Sequence, residues 1–168
     1  MNAQEYLEQI NKFWNKQDKE TDLKHAKLGV YSEIGEIAGW YKKIVGYNKQ
    51  KDEAWKTELK GELGDLLYFT YKRRELEGDE LIDFNTLHPH AMPFKDIDVA
   101  TINQFWLSSL DHTLFVARVA CFELGLSIED IAKANIAKLT ARFGDKFDAK
   151  GTTEEGRDRA KEAQALNG

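Results

Sequence analysis

The chain has one cysteine, two prolines, no apolar run of membrane-spanning length and no excess of positive charge. Each shortage excludes something. A single Cys121 cannot close an internal disulfide, so the core must hold the fold, and the cytoplasm is the expected compartment. Set among Val119, Ala120 and Phe122, Cys121 reads as a buried small hydrophobe and not as a nucleophile. Crossing a bilayer takes roughly 20 apolar residues. Met1 to Lys12 instead alternates charge with single hydrophobes, so neither a leader nor a membrane partner is expected. A formal net charge of −5 repels phosphate backbones, so no nucleic-acid partner is expected. The same charge suits a triphosphate when carboxylates carry divalent cations that the phosphates share.

What is present forms helices. Apolar residues make up 42% and charged residues 32%, the balance of an ordered globular chain rather than a disordered one. The length of 168 residues calls for one domain, read over residues 1–147, with a polar tail over 148–168.

Asn2 and Glu5 form a capping box ahead of Tyr6, Leu7, Ile10, Phe13 and Trp14, which predicts a first helix to about Lys16. Asp22 is read as the cap of a second helix that ends near Gly46. Asp52 opens a third, with Trp55, Leu59, Leu63, Leu66, Leu67 and Tyr71 on its apolar side and Gly78 at its end. Both prolines lie between Asp79 and Ala100, a segment without sustained period that reads as a loop or insertion. Thr101 starts a fourth helix stopped by Gly125, and a second capping box, Ser127 with Asp130, starts a fifth that runs to Gly144. From Asp145 the chain reads as a loosely held tail. With no β-type alternation, the expected architecture is an all-α antiparallel bundle of four to five helices.

Four acids sit where solvated acids do not. Glu33 shares a stripe with Val30 and Ile37, Glu36 precedes Trp40 by a turn, Glu62 precedes Leu66, and Asp65 precedes Phe69. A surface acid on a helix usually has a Lys or Arg three or four residues away. None of these four has one; Glu33 faces Glu36, and Glu62 faces Glu58 and Asp65. Four carboxylates meeting at an apolar interface repel by several kcal/mol, or bind protons, unless a cation neutralises them. Oxygen ligands without Cys or His at matching spacing favour Mg²⁺, with Mn²⁺ as a substitute, over zinc. The alternative is that each acid is exposed and paired from another segment, but two such i, i+3 pairs on neighbouring helices weigh against it.

The pattern Glu33-Ile34-Gly35-Glu36 followed by Glu62-Leu63-Gly64-Asp65 resembles the signature of the all-α NTP pyrophosphohydrolase superfamily, which includes MazG and the dimeric dUTPases. The flanking text is similar too. His25 to Gly29 and Lys42-Lys43 look like the family's second helix, Glu62 to Tyr68 like its third, and Leu124 to Phe143 like its last core helix. The likeness covers roughly residues 21–71 and 111–147. Ser32 and Gly61 stand where relatives often carry further acids, which implies a less charged cluster here.

The resemblance implies hydrolysis of a (d)NTP to monophosphate and pyrophosphate by a water activated on two or more Mg²⁺ ions, with Glu33, Glu36, Glu62 and Asp65 as metal ligands and catalytic residues. It also implies that Lys42, Lys43, Asn135, Lys138 and Arg142 contact the phosphates, and that the chain works as a homodimer or homotetramer. Lys42, Lys43 and Arg142 equally suit the negative ends of their helices, whereas a mid-helix Asn invites a specific reason. Trp14, Trp40 and Trp55 are candidates for base contact, though aromatics at helical spacing more often build a core. His88 and His90 in the proline-containing loop form a weaker candidate metal pair, and His25 and His112 read as structural. Two rivals stand beside this reading: a deoxynucleotide-specific dUTPase-, dCTPase- or dGTPase-like enzyme, and a non-catalytic helical module that binds a cation or a basic partner.

Overall fold

A computed structural model describes residues 1–84, 117, 121, 124–153 and 155–167. Among them are helices and turns and no strand, which makes the protein all-α. Helix α1 is Ala3–Ile10, α2 Lys19–Tyr47, α3 Glu53–Glu77, α4 Ile128–Phe143 and α5 Arg159–Asn167, with single 3₁₀ turns at Asn11–Phe13 and Ala149–Thr152.

The helix ends follow local chemistry. Asn2 and Glu5 exchange side chain and backbone hydrogen bonds in a capping box at α1, and Ser127 with Asp130 does the same at α4. Asp52 accepts from the Trp55 amide at 2.8 Å to start α3, and Gly78, at φ 79°, ends it in the left-handed conformation that costs glycine little. Two boundaries differ from expectation. Helix α1 tightens into a 3₁₀ turn after Ile10, and Trp14 turns to extended backbone instead of continuing to Lys16. The cap of α2 is Asp18, not Asp22: Asp18 accepts from the Glu20 and Thr21 amides at 3.1 Å each. Asp22, one turn inside, is buried and accepts from the Gln17 amide at 3.0 Å.

Helices α2 and α3 form an antiparallel hairpin. Gly29 meets Phe69, Glu33 meets Asp65 and Tyr41 meets Trp55, so α3 runs backward as α2 runs forward. At Gly29 an added Cβ would lie 2.3 Å from the Phe69 ring, closer than atoms can approach. Helix α4 lies antiparallel to α3, with Gly61 near Lys138 and Gly64 against Asn135, where an added Cβ would come 2.9 Å from Asn135 Cβ. Gly29 and Gly64 let the three helices close up around the acids.

The core joins Tyr6, Leu7 and Ile10 of α1 to Leu59, Leu63, Leu66, Leu67 and Tyr71 of α3 and Ile131 of α4. Fully burying each such aliphatic side chain stabilises by about 1.5–3 kcal/mol. Residues 85–116, including the histidines at 88, 90 and 112 and most of the expected fourth helix, lie outside the described residues. Ala117, Cys121 and Leu124 of that helix are helical, and Gly125 at φ 66° lets the Leu126 amide reach back to the Cys121 carbonyl.

The polar tail is not loosely held. Helix α5 packs on α4 and α3, with Leu166 buried against Gly61 and Thr57 donating to Asn167 Oδ1 at 2.9 Å. Its anchor is an ion cluster across α4 and α5, which no local hydrophobic pattern announces.

Candidate metal centre

The chain folds its acids together. Glu33 from α2 and Glu62 and Asp65 from α3 each bring a carboxylate oxygen within 4.8 Å of the others. All three are partly buried. The spacing explains the convergence: Glu62 and Asp65 are one turn apart on α3, and the close approach at Gly29, one turn before Glu33, brings α2 against that face. Glu36 does not join the triad; it is exposed and lines the same cavity at its rim.

The triad is electrostatically strained. Burial, then the charges of Asp65, Glu36 and Glu62, pushes the Glu33 carboxyl up to about 8, against the opposing pull of Lys138. Burial, then Glu36 and Asp65, pushes Glu62 up to about 7. Oxygen donors in this arrangement match a hard divalent cation, which would relieve the repulsion that protons relieve otherwise. The donor set is one that could hold such a cation.

Asp65 has partners from another helix. The Lys138 ammonium donates to its Oδ2, and Asn135 Nδ2 donates to its Oδ1 at 3.0 Å. Asn135 is fully buried and accepts at its own Oδ1 from the Tyr6 hydroxyl at 2.9 Å. Burial and the charge of Asp65 hold the Tyr6 hydroxyl well above its usual range, so it stays a donor. Asp65 is thus oriented by a chain from α1 through α4, and the pairing absent along its own helix is supplied by tertiary contact.

The triad opens on a cavity of about 570 Å³. Lys138 and Arg142 line it, while Lys42 and Lys43 are exposed on α2 outside it, Lys43 lying 4.1 Å over the Trp40 ring. Trp14 and Trp55 belong to the buried core. The aromatic side chains that do reach the cavity are Phe13, Tyr68, Phe69, Phe143 and Phe147. The exposed His25 ring packs 4.7 Å from Trp14 and lines the cavity as well.

The sequence pattern did not single out Arg157, Arg159 or Glu162, which also line the cavity. Arg142 donates to Glu162 through Nε at 3.1 Å and Nη2 at 2.6 Å, and Arg157 does so through the same atoms at 3.2 and 2.8 Å. Burial works against the Glu162 charge, but hydrogen bonds from Arg142 and then Arg157 hold its carboxyl down at about 2. The signal that could have found the cluster is Arg157-Asp158-Arg159, a basic pair in an otherwise mixed tail.

Cys121 is buried and its thiol is pushed up to about 12 by burial, which rules it out as a thiolate nucleophile near neutral pH. No helix among the described residues is long and apolar enough to cross a membrane. Comparison with protein-family models, with curated proteins and with solved structures yields no match to the chain.

Proposed function

We propose that the chain is a magnesium-dependent, MazG-like nucleoside triphosphate pyrophosphohydrolase that converts a (d)NTP to (d)NMP and pyrophosphate. The observation that carries this reading is the meeting of the Glu33, Glu62 and Asp65 oxygens within 4.8 Å of one another, in a cavity that Lys138 and Arg142 also line. Glu33, Glu62 and Asp65 would hold the Mg²⁺, with Glu36 at the rim, and Mn²⁺ would substitute. The metal supplies charge neutralisation for phosphate oxygens and a lowered pKa for water.

The chain's own residues do the rest. Asn135 and Lys138 orient Asp65, and Lys138 also brings a buried positive charge to where phosphate charge collects. Arg142 offers a guanidinium that Glu162 holds in one geometry. Lys42 and Lys43 stand before the last turn of α2, which holds no basic residue, so neither the phosphate role nor a helix-end role is supported by their position. The bond broken joins the α-phosphorus to its bridging oxygen, and no protein nucleophile is required. A deoxynucleotide-specific enzyme of the dUTPase, dCTPase or dGTPase type would use the same atoms.

The reading carries a cytoplasmic homodimer or homotetramer. Leu28 and Tyr31, about one turn apart on α2 at 68 and 65% exposure, support a face for a second copy, which light scattering of the purified chain would test.

A second reading, a cation-binding helical module without turnover, is favoured by one observation: Lys138 and Asn135 already satisfy Asp65. A panel of canonical and modified NTPs and dNTPs, incubated with Mg²⁺ or with EDTA and resolved by product, separates the two. Metal-dependent monophosphate and pyrophosphate supports the hydrolase, and no turnover across the panel supports the module.

A further inference from the structure

His25 stands apart from the aromatic core it touches. Its ring lies over the buried Trp14 indole, centroids 4.7 Å apart and planes 32° from parallel, and Phe69 meets it in a T-shaped contact at 5.6 Å. A histidine that only fills a core is enclosed by such neighbours. His25 is instead exposed, and it lines the cavity that holds the acids.

Two local features fix that placement. Gly29, one turn after His25 on α2, lets Phe69 of α3 close against the helix. Trp14 is extended backbone after the first 3₁₀ turn, and its neighbour Asn15 is exposed and also lines the cavity. Asn15 Oδ1 accepts from Gln17 Nε2 at 3.4 Å, and its carboxamide carries a donor beside that acceptor.

This end of the cavity lies beyond the acids along both helices. Phe69 follows Asp65 by one turn of α3 and His25 precedes Glu33 by two turns of α2, so it stands roughly 6–12 Å away along the helix axes. A ligand reaching from one to the other needs an anionic, cation-binding group at one end and an apolar, planar group at the other. A nucleotide has that order, with a pentose between phosphate and base. An exposed ring already backed by an indole suits a flat heteroaromatic partner, because stacking uses the whole face and little side-chain freedom is left to lose.

We propose that His25, backed by Trp14 and flanked by Phe69, is the stacking platform for the nucleobase of the ligand, and that the Asn15 carboxamide reads the edge of that base. The choice of a nucleotide rests on the hydrolase reading above; the platform itself rests on the placement of His25.

The test is NMR of the imidazole resonances of the full chain, titrated with purine and pyrimidine nucleoside 5′-monophosphates in Mg²⁺, with ribose 5-phosphate as the base-free control. The His25 resonance is the one missing from His25→Ala. A stacked base is expected to shift it, and ribose 5-phosphate to leave it in place. His25→Ala should bind the preferred nucleotide about tenfold more weakly with unchanged affinity for ribose 5-phosphate. His25→Phe, which keeps a flat ring over Trp14, should recover most of that loss, and Asn15→Ala should narrow the differences among bases. The platform is overturned by a silent His25 resonance, by an equal shift with ribose 5-phosphate, or by His25→Ala binding nucleotide as tightly as wild type. An unchanged ranking of bases in Asn15→Ala would remove Asn15 from it. Metal-dependent hydrolysis of a nucleoside triphosphate alongside such a negative result leaves the hydrolase reading standing. A base-dependent shift of His25 without turnover of any nucleotide sinks the hydrolase reading and keeps the platform.

Discussion

Asn135 of α4 donates to Asp65 of α3 at 3.0 Å while accepting from Tyr6 of α1 at 2.9 Å, so one fully buried amide ties three helices to one metal-ligand candidate. An Asn in mid-helix, unfavourable by propensity, is explained by this double duty.

Replacing Asn135 with Leu leaves the Tyr6 hydroxyl and one Asp65 oxygen without their partners, at about 1–3 kcal/mol for each buried group. The chain should lose several degrees of melting temperature and bind Mg²⁺ more weakly. Thermal unfolding with and without Mg²⁺ checks both, and an unchanged melting temperature would discard the tie.

Gly64→Ala tests the closeness of α3 and α4. Its Cβ would stand 2.9 Å from Asn135 Cβ, which forces the helices apart at a cost of about 1–3 kcal/mol. Loss of magnesium binding beyond the loss of stability is expected, because Asn135 and Lys138 both reach Asp65 across this contact. Ala tolerated at this position with normal metal affinity would show that the approach does not matter.

Charge removal in the triad should have opposite effects on stability and function. At about pH 8 without metal, Glu33→Gln and Glu62→Gln relieve repulsion and raise stability by about 1–3 kcal/mol, while abolishing the magnesium-induced shift and nucleotide turnover. Glu36→Gln, at the exposed rim, should reduce turnover less than either. Chemical denaturation in EDTA paired with an activity assay reads both sides, and destabilisation of both triad variants would contradict the repulsion.

Acidity should act through the same residues. Glu33 and Glu62 hold their protons up to about 8 and about 7 in the folded chain but lose them near 4.5 when free of it. Between about pH 5 and pH 8 the folded state therefore carries more protons than the unfolded one, and metal-free stability falls as pH rises. Magnesium binding must displace those protons, so its stabilising shift should be small near pH 5.5 and large near pH 8.5. Melting curves at the two pH values, with and without Mg²⁺, decide it; a shift independent of pH would contradict the coupling.

Glu162→Ala removes the counter-charge of two partly buried guanidiniums and should cost about 3–5 kcal/mol. Because the native Glu162 carboxyl stays ionised down to about 2, its contribution should persist across neutral pH and fade only as pH falls from about 4.5 toward 2. Limited proteolysis should then cleave the C-terminal segment first, and wild-type resistance in the variant would remove Glu162 from its anchoring role.

Helices α1 to α4, both capping boxes, the glycine stops at 78, 125 and 144, and the unpaired acids Glu33, Glu36, Glu62 and Asp65 on two neighbouring helices were legible in the sequence, whereas α5 was not. Caps and helical periodicity are decided within one or two turns of backbone, so neighbours along the chain report them. Tertiary structure alone decided that Asp65 is paired with Lys138, that Glu36 stays at the rim, and that the tail docks through Glu162 to wall the cavity. Those outcomes depend on how closely α2, α3 and α4 approach at Gly29 and Gly64 and on which distant charge then lies within reach, and spacing along a single helix carries no record of either.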